Sequence, residues 1–184
     1  MDELWTRLED FLKQNAPEVY GSLAPGATEA EVADAEETCG VTFPPDVRQS
    51  YLRHDGQANE GYNFIPGYFY LYALREMYAG EVEEGSNEVN PESVTDPRVK
   101  RVWDDPAWIS FAGDIGGNRI RLDFDPLPGG TVGQVLLEDH EEGGVHPVLA
   151  PSFTAWLGGI ISDLESGRLV WNKELTGYCY PEDL

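Results

Sequence analysis

Trp108-Ile109-Ser110-Phe111-Ala112-Gly113-Asp114-Ile115-Gly116-Gly117-Asn118-Arg119-Ile120-Arg121-Leu122-Asp123-Phe124 reads as two short strands joined by a tight turn. The flanks are rich in β-branched and aromatic residues, and the centre holds glycines with Asp and Asn, whose side chains bond nearby backbone. In the second strand Ile120, Leu122 and Phe124 alternate with polar residues, which predicts one buried face and one face toward water. Two more strand-like runs follow, 133–137 and 146–150, again separated by glycine-rich turns.

Helical patterns flank this block. Leu4, Trp5, Leu8, Phe11 and Leu12 recur at helical spacing until Pro17 closes the run. Thr28-Glu29-Ala30-Glu31 is a capping box opening a helix that carries Val32 and Ala35 to Cys39 and stops at Gly40. Phe43-Pro44-Pro45-Asp46 starts a third helix, with Val47, Tyr51 and Leu52 as its stripe and His54-Asp55-Gly56 as its stop. The last helix opens at Ser152, buries Phe153, Trp156, Leu157, Ile160, Ile161 and Leu164, and ends at Gly167. The middle is less regular. Residues 62–65 and 68–70 read as short strands, and 71–79 as a short helix. Residues 80–105 form an acidic, proline-punctuated surface excursion, with Val99, Val102 and Trp103 docking a short helix back onto the body. Strands joined by short turns, with helices before and after, predict an α+β fold: a mixed or mainly antiparallel sheet with N-terminal helices and a C-terminal helix packed against it.

Size and charge set the remaining bounds. At 184 residues the chain is expected to be one domain, residues 1–184. Thirty-four acidic residues stand against twelve basic ones, a net charge of −22. The aromatic share of 11% marks the acidity as that of a folded object rather than a disordered tail. The imbalance argues against nucleic-acid or anionic-membrane partners, which require Lys and Arg. It has two readings, high solubility or steering toward a basic partner. The two cysteines, Cys39 and Cys179, form no disulfide framework or metal pair. The opening Met1-Asp2-Glu3-Leu4-Trp5 lacks a signal-peptide pattern and no apolar run reaches membrane length, so the expected location is the cytoplasm.

The order Pro25-Gly26-Ala27, Glu29-x-Glu31-Val32, Glu36-x-x-x-Gly40-Val41-x-Phe43-Pro44-x-Asp46-x-x-x-x-Tyr51-x-x-x-Asp55-Gly56 resembles the SUKH superfamily, in particular its Smi/Knr-type domain. The later run Trp108-Ile109-x-Phe111-Ala112-x-Asp114-x-Gly116-Gly117-Asn118-x-Ile120-x-Leu122-Asp123 is similar to that family's second signature. The resemblance covers about residues 4–164. It departs at Phe43, where members commonly carry Leu, and in the excursion 80–105, which lies outside the shared pattern. It marks Glu36, Gly40, Pro44, Tyr51, Gly56, Trp108, Gly117 and Asp123 as the structural positions of the motif. It implies a binding role without a catalytic set. The resemblance implies one of two roles: many bacterial members are immunity proteins that neutralise toxins, often nucleases, and others, like the fungal cell-wall assembly regulators, are regulatory adaptors.

The chemistry-bearing residues agree with that. His54, His140 and His146 sit in no motif with a nucleophile, and no hydrolase, zincin or Walker pattern occurs, so the expectation is not an enzyme and no cofactor. Asp114, Asn118, Asp123 and Asp125 read either as hard-cation oxygens or as turn residues; turn chemistry is favoured, and a metal hydrolase built on Asp114, Asp123 and His146 is the weakest reading. Glu81, Glu83, Glu84, Glu88 and Glu92, with Glu138, Asp139, Glu141 and Glu142, form either a docking surface or two solvated loops. The leading expectation is an immunity-type protein whose acidic surface binds a basic toxin domain. The alternative is a cell-wall or envelope adaptor with a peptide or small-ligand groove near Asp55, Gly56, Tyr68, Tyr70 and Asn118.

Overall fold

A computed structural model describes residues 1–58, 61–81, 94, 96–140 and 147–184. Four helices precede the sheet: α1 (Asp2–Asn15), α2 (Pro17–Ser22), α3 (Glu29–Cys39) and α4 (Pro45–Arg53). Pro17 ends the first helical run but also opens α2, because a first helical turn has no use for the amide that proline lacks. In α3 the capping box closes at both ends: Glu31 N donates to Thr28 Oγ1 (3.2 Å) and Thr28 N to Glu31 Oε2 (2.7 Å). Gly40 then takes the left-handed conformation, φ +69°, that stops the helix.

Glu36 explains the spacing of the motif that follows. Its carboxylate accepts from Phe43 N (2.7 Å) and Arg48 Nη1 (2.5 Å), tying the end of α3 to the start of α4. Tyr51 is fully buried and donates to the carbonyl of Tyr72 (3.1 Å). Gly56, at φ +75°, lets the chain pass against the backbone of Tyr72 and Ala73, where a Cβ would collide.

The main sheet contains β1 (Tyr70–Leu71), β2 (Tyr78–Ala79), β3 (Trp108–Gly113), β4 (Arg119–Asp123), β5 (Gln134–Glu138) and β6 (Val148–Ala150). Its order is β1-β3-β4-β5-β6, with β2 also beside β3, and every pairing is antiparallel. The α+β expectation with a mainly antiparallel sheet is what the structure shows. Residues 71–79 are not a helix. The backbone of Leu71 and Tyr72 is taken by Gln57 Oε1 (3.0 Å) and Phe111 O (2.9 Å), and only a 3₁₀ turn, Leu74–Glu76, fits before β2.

α5 (Phe153–Glu165) lies across the sheet, with Ser152 Oγ accepting from Ala155 N (3.2 Å) at its start. Phe111 of the sheet meets Phe153 and Trp156 of α5 at ring distances of 5.4 and 5.0 Å. The amphipathic stripe read from the sequence is the buried face: Phe153, Trp156, Leu157, Ile160, Ile161 and Leu164. The Asp46 carboxylate joins α4 to α5 by accepting from Thr154 N and Oγ1, both at 2.9 Å. A hairpin of β7 (Val170–Asn172) and β8 (Gly177–Cys179) follows, and then a 3₁₀ turn, Pro181–Asp183. The hairpin is pinned to the body where Asn63 N donates to Thr176 O and Tyr178 N to Asn63 O, and where Phe11 faces Tyr178.

The far face of the sheet corrects the sequence reading. Arg121 and Asp123 are both 0% exposed rather than facing water. The described residues of the excursion cover them: Val94 and Val99 pack with Trp108 and Leu136 in a second apolar cluster. Asp96–Val99 is a turn there, with Val99 N donating to Asp96 O (3.2 Å), in place of the expected docked helix, and Trp103 is 39% exposed. The molecule therefore has three layers: helices, sheet and excursion.

Candidate functional site

Two neighbourhoods hold the unusual chemistry, one on each face of the sheet. On the far face, Arg121 projects from β4 between Asp104 of the excursion and Glu138 of β5, whose Oε2 lies 2.5 Å from Arg121 Nη2. Arg119 Nη1 reaches the same carboxylate at 3.3 Å and lies 5.5 Å over the ring of Tyr78. Below them Asp123 accepts from Gln134 Nε2 (2.9 Å) and Asp125 N (3.0 Å). Burial raises the Asp123 carboxyl above its ordinary range despite these donors. Asp104 also accepts from Glu81 N (3.1 Å), and Lys100 bridges Asp105 and Asp125 at 2.8 and 2.5 Å. These pairs latch the excursion to the sheet. Arg121, Glu138 and Asp123 are buried at the centre of this network, and Lys100 carries it out to Asp125 at the surface, which is the arrangement of a structural network.

This geometry corrects one member of the expected acidic docking surface. Glu138 is not on a solvated loop; it ends β5, 3% exposed, because two arginines of β4 neutralise it. Glu81 is exposed, and Asp139 is half-buried. Glu83, Glu84, Glu88, Glu92, Glu141 and Glu142, together with His146, lie outside the described residues.

Asp114 and Asn118 form a turn. Asn118 N donates to Asp114 Oδ1 (2.8 Å), Asn118 Nδ2 to Asp114 Oδ2 (2.7 Å), and His140 N to Asn118 Oδ1 (2.9 Å). Gly117 sits at φ +94° within it. Both carboxylate oxygens of Asp114 are thus used inside the turn, while Asp123 lies at the opposite end of β4 and Asp125 pairs with Lys100. Among the described residues no group of three or more acids, histidines or cysteines is placed to hold a metal ion. His54 closes α4, with Nδ1 donating to Ala24 O (2.8 Å), its ring 4.8 Å from Trp5 and its Nε2 3.3 Å from Glu9.

The groove residues expected from the sequence do not line one groove. Asp55 Oδ1 accepts from Leu74 N (2.7 Å); Tyr68 accepts at its hydroxyl from Asn172 Nδ2 (3.2 Å); Tyr70 packs on Tyr72 at 5.2 Å; Asn118 belongs to the hairpin turn. Asp55 alone borders a shallow hollow of about 410 Å³, between α3 and the 3₁₀ turn.

A larger groove of about 440 Å³ lies on the helix face and is lined by none of those four. One wall is α5, through Ala155, Trp156, Gly159 and Ile160. The sheet supplies Ile120, Leu137 and Leu149, and the turn 65–69 supplies Ile65, Pro66 and Phe69. Leu149 stands 44% exposed at its edge. The polar rim is Asp163, Tyr180 and Asp183, and Tyr180 Oη donates to Asp163 Oδ2 (2.9 Å). Burial and the neighbouring Asp163 push the Tyr180 phenol up, so it stays a neutral donor at ordinary pH. The described lining carries no thiol, imidazole or aliphatic hydroxyl that a base could activate. An apolar trough with a few polar groups at one end is suited to holding a ligand.

The fold, helices packed on an antiparallel sheet, carries both sequence signatures that resemble the SUKH superfamily. The sequence comparison agrees: the SMI1/KNR4 family (SUKH-1) matches over residues 26–159, and the chain belongs to that family. The cell wall biosynthesis/cell cycle regulator smi1 of Schizosaccharomyces pombe is 30% identical over 196 residues, covering 95% of this chain and 38% of that protein. The glucan synthesis regulatory protein of Neurospora crassa is 25% identical, over 89% of this chain and 38% of its own length. The cell wall assembly regulator SMI1 of Saccharomyces cerevisiae is 23% identical, over 89% and 40%. The chain spans about two fifths of the length of these curated relatives.

Proposed function

We propose that this chain is a regulatory binding module of cell-wall or envelope assembly, working in the cytoplasm by holding a partner segment or small ligand and catalysing no reaction. The observation that carries the reading is the apolar groove between α5 and the sheet, with its single polar end. The named relatives, a cell-wall biosynthesis regulator and a glucan synthesis regulator among them, support the cellular setting. No helix among the described residues is long and apolar enough to cross a membrane. The test is genetic. Deleting the gene is expected to sensitise cells to an agent that weakens the wall, and the wild-type gene restores resistance where a Leu149→Glu gene does not. Unchanged wall integrity on deletion sinks the regulatory reading.

The net charge of −22 favours a second reading, neutralisation of a basic toxin domain. Charge-steered association slows steeply as salt rises, whereas occupancy of an apolar groove changes less. Co-expression with the product of the neighbouring upstream gene decides it: a basic toxin that co-purifies supports the immunity role, and its absence removes that role.

A further inference from the structure

Gly159 stands in the interior of α5, where glycine destabilises a helix relative to alanine. Internal packing does not require it, since a Cβ at this position would meet no atom within 4 Å. It opens instead into the groove, and Ala155, one turn earlier, lines the same wall. Together they make a low stretch of helix surface at a spacing that lets a second backbone approach closely.

We propose that the occupant of this groove is an amphipathic α-helix of a partner protein, lying along the Ala155–Gly159 wall with Lys or Arg beside its apolar face. The proposal rests on the reading of the groove as the binding site. A helix fits better than an added strand because the sheet edge beside the groove is short: β6 has three residues. The floor of Ile120, Leu137 and Leu149 suits apolar side chains at helical spacing. Charge complementarity fixes the flanks. Among the described residues, the groove's charged lining is Asp163 and Asp183, both acidic, on a chain of net charge −22. Arg168 already holds Asp163 at 3.0 Å, which leaves the exposed Asp183 as the acid facing an incoming cation.

A peptide-phage library of random segments about 12 residues long, roughly three turns of helix, selected on the full chain and counter-selected on Gly159→Leu, tests this. The selected peptides are expected to combine apolar residues at i, i+3 or i+4 with Lys or Arg and to gain helical circular dichroism on binding. They should lose about ten-fold or more in affinity on Gly159→Leu. Asp183→Lys should weaken them about two- to five-fold. Leu149→Glu serves as a second blocking variant should Gly159→Leu fold poorly, because its site is already exposed. If no peptide distinguishes the wild type from either blocking variant, the groove reading itself falls. If groove-dependent peptides emerge that are acidic, or bind without becoming helical, the groove stands and the basic-helix proposal is overturned.

Discussion

Arg121 has no exposed surface, yet it carries a full charge between Asp104 and Glu138. Removing it leaves Glu138 buried with only Arg119, at 3.3 Å, for compensation. Arg121→Ala is therefore expected to lower unfolding stability by about 3 kcal/mol in urea denaturation. Replacing Arg121 with Met and Glu138 with Leu together should recover most of that loss, since the desolvation of both charges disappears. Asp96 gives a pH signature. The Arg98 guanidinium, the first of its influences, holds its carboxyl down to about 2 from an ordinary 3.8. With its pKa depressed on folding, Asp96 contributes fully above about pH 4 and loses that contribution as pH falls toward 2. Asp96→Asn should flatten the acid limb of the stability profile in that window; an unchanged limb would show the pair to be inert. Period-two spacing placed Ile120 and Leu122 inward but could not place Arg121 and Asp123, because alternation records polarity and not what covers the polar side. The cover comes from Val94 and Val99; the sequence predicts that Val99 docks back onto the body, but no local pattern says on which face of the sheet.

Helix α3 and helix α5 differ in how much their own sequences stabilise them. Thr28 is the cap of α3, and Thr28→Ala is expected to cost about 1 kcal/mol by thermal or chemical denaturation. Gly159→Ala in α5 should raise stability by about 0.5–1 kcal/mol, since the methyl group enters open space. A loss instead would mean that the wall of the groove is packed in solution. The elements with strong periodicity or explicit caps, α1, α3, α4, α5 and the β3–β4 hairpin, are legible in the sequence. The elements that were not legible depend on distant partners. The hairpin β7–β8 has three residues per strand and is held by Asn63. Residues 71–79 became strand, 3₁₀ turn and strand because Gln57 and β3 claim their amides. Gln57 itself, buried and bonded to Ser22 Oγ, Tyr62 O and Leu71 N, carries no sequence signal.

Taken whole, the chain is a strongly repelling object. Its net charge of −22 opposes compaction at low ionic strength, so raising NaCl from about 0.01 to about 0.3 M should raise Tm by roughly 2–4 °C, read by scanning calorimetry. A falling Tm would indicate that the buried and half-buried ion pairs outweigh the general repulsion. The acidity was visible at once, but its distribution was not: Glu138 looks like its neighbours in sequence and becomes an internal counter-ion in the fold. The groove was invisible for a related reason. Its lining is drawn from segments between Ile65 and Asp183, and its leucines and isoleucines read as ordinary core until the fold leaves one side of them uncovered.

The first helix and the closing hairpin fall outside residues 26–159, the stretch by which the family is recognised. Yet Trp5, Leu8, Leu12 and Tyr178 are at most 3% exposed, and Trp5 Nε1 donates to Ser50 Oγ (3.0 Å) inside α4. The family signature is thus smaller than the packed unit, which the fission-yeast relative matches over 95% of this chain. A fragment trimmed to the recognisable stretch would carry a raw hydrophobic flank and an orphaned serine, and should aggregate rather than fold. The family signature and the packed core draw different borders around this domain, and it is the wider border that the chain needs to stand alone.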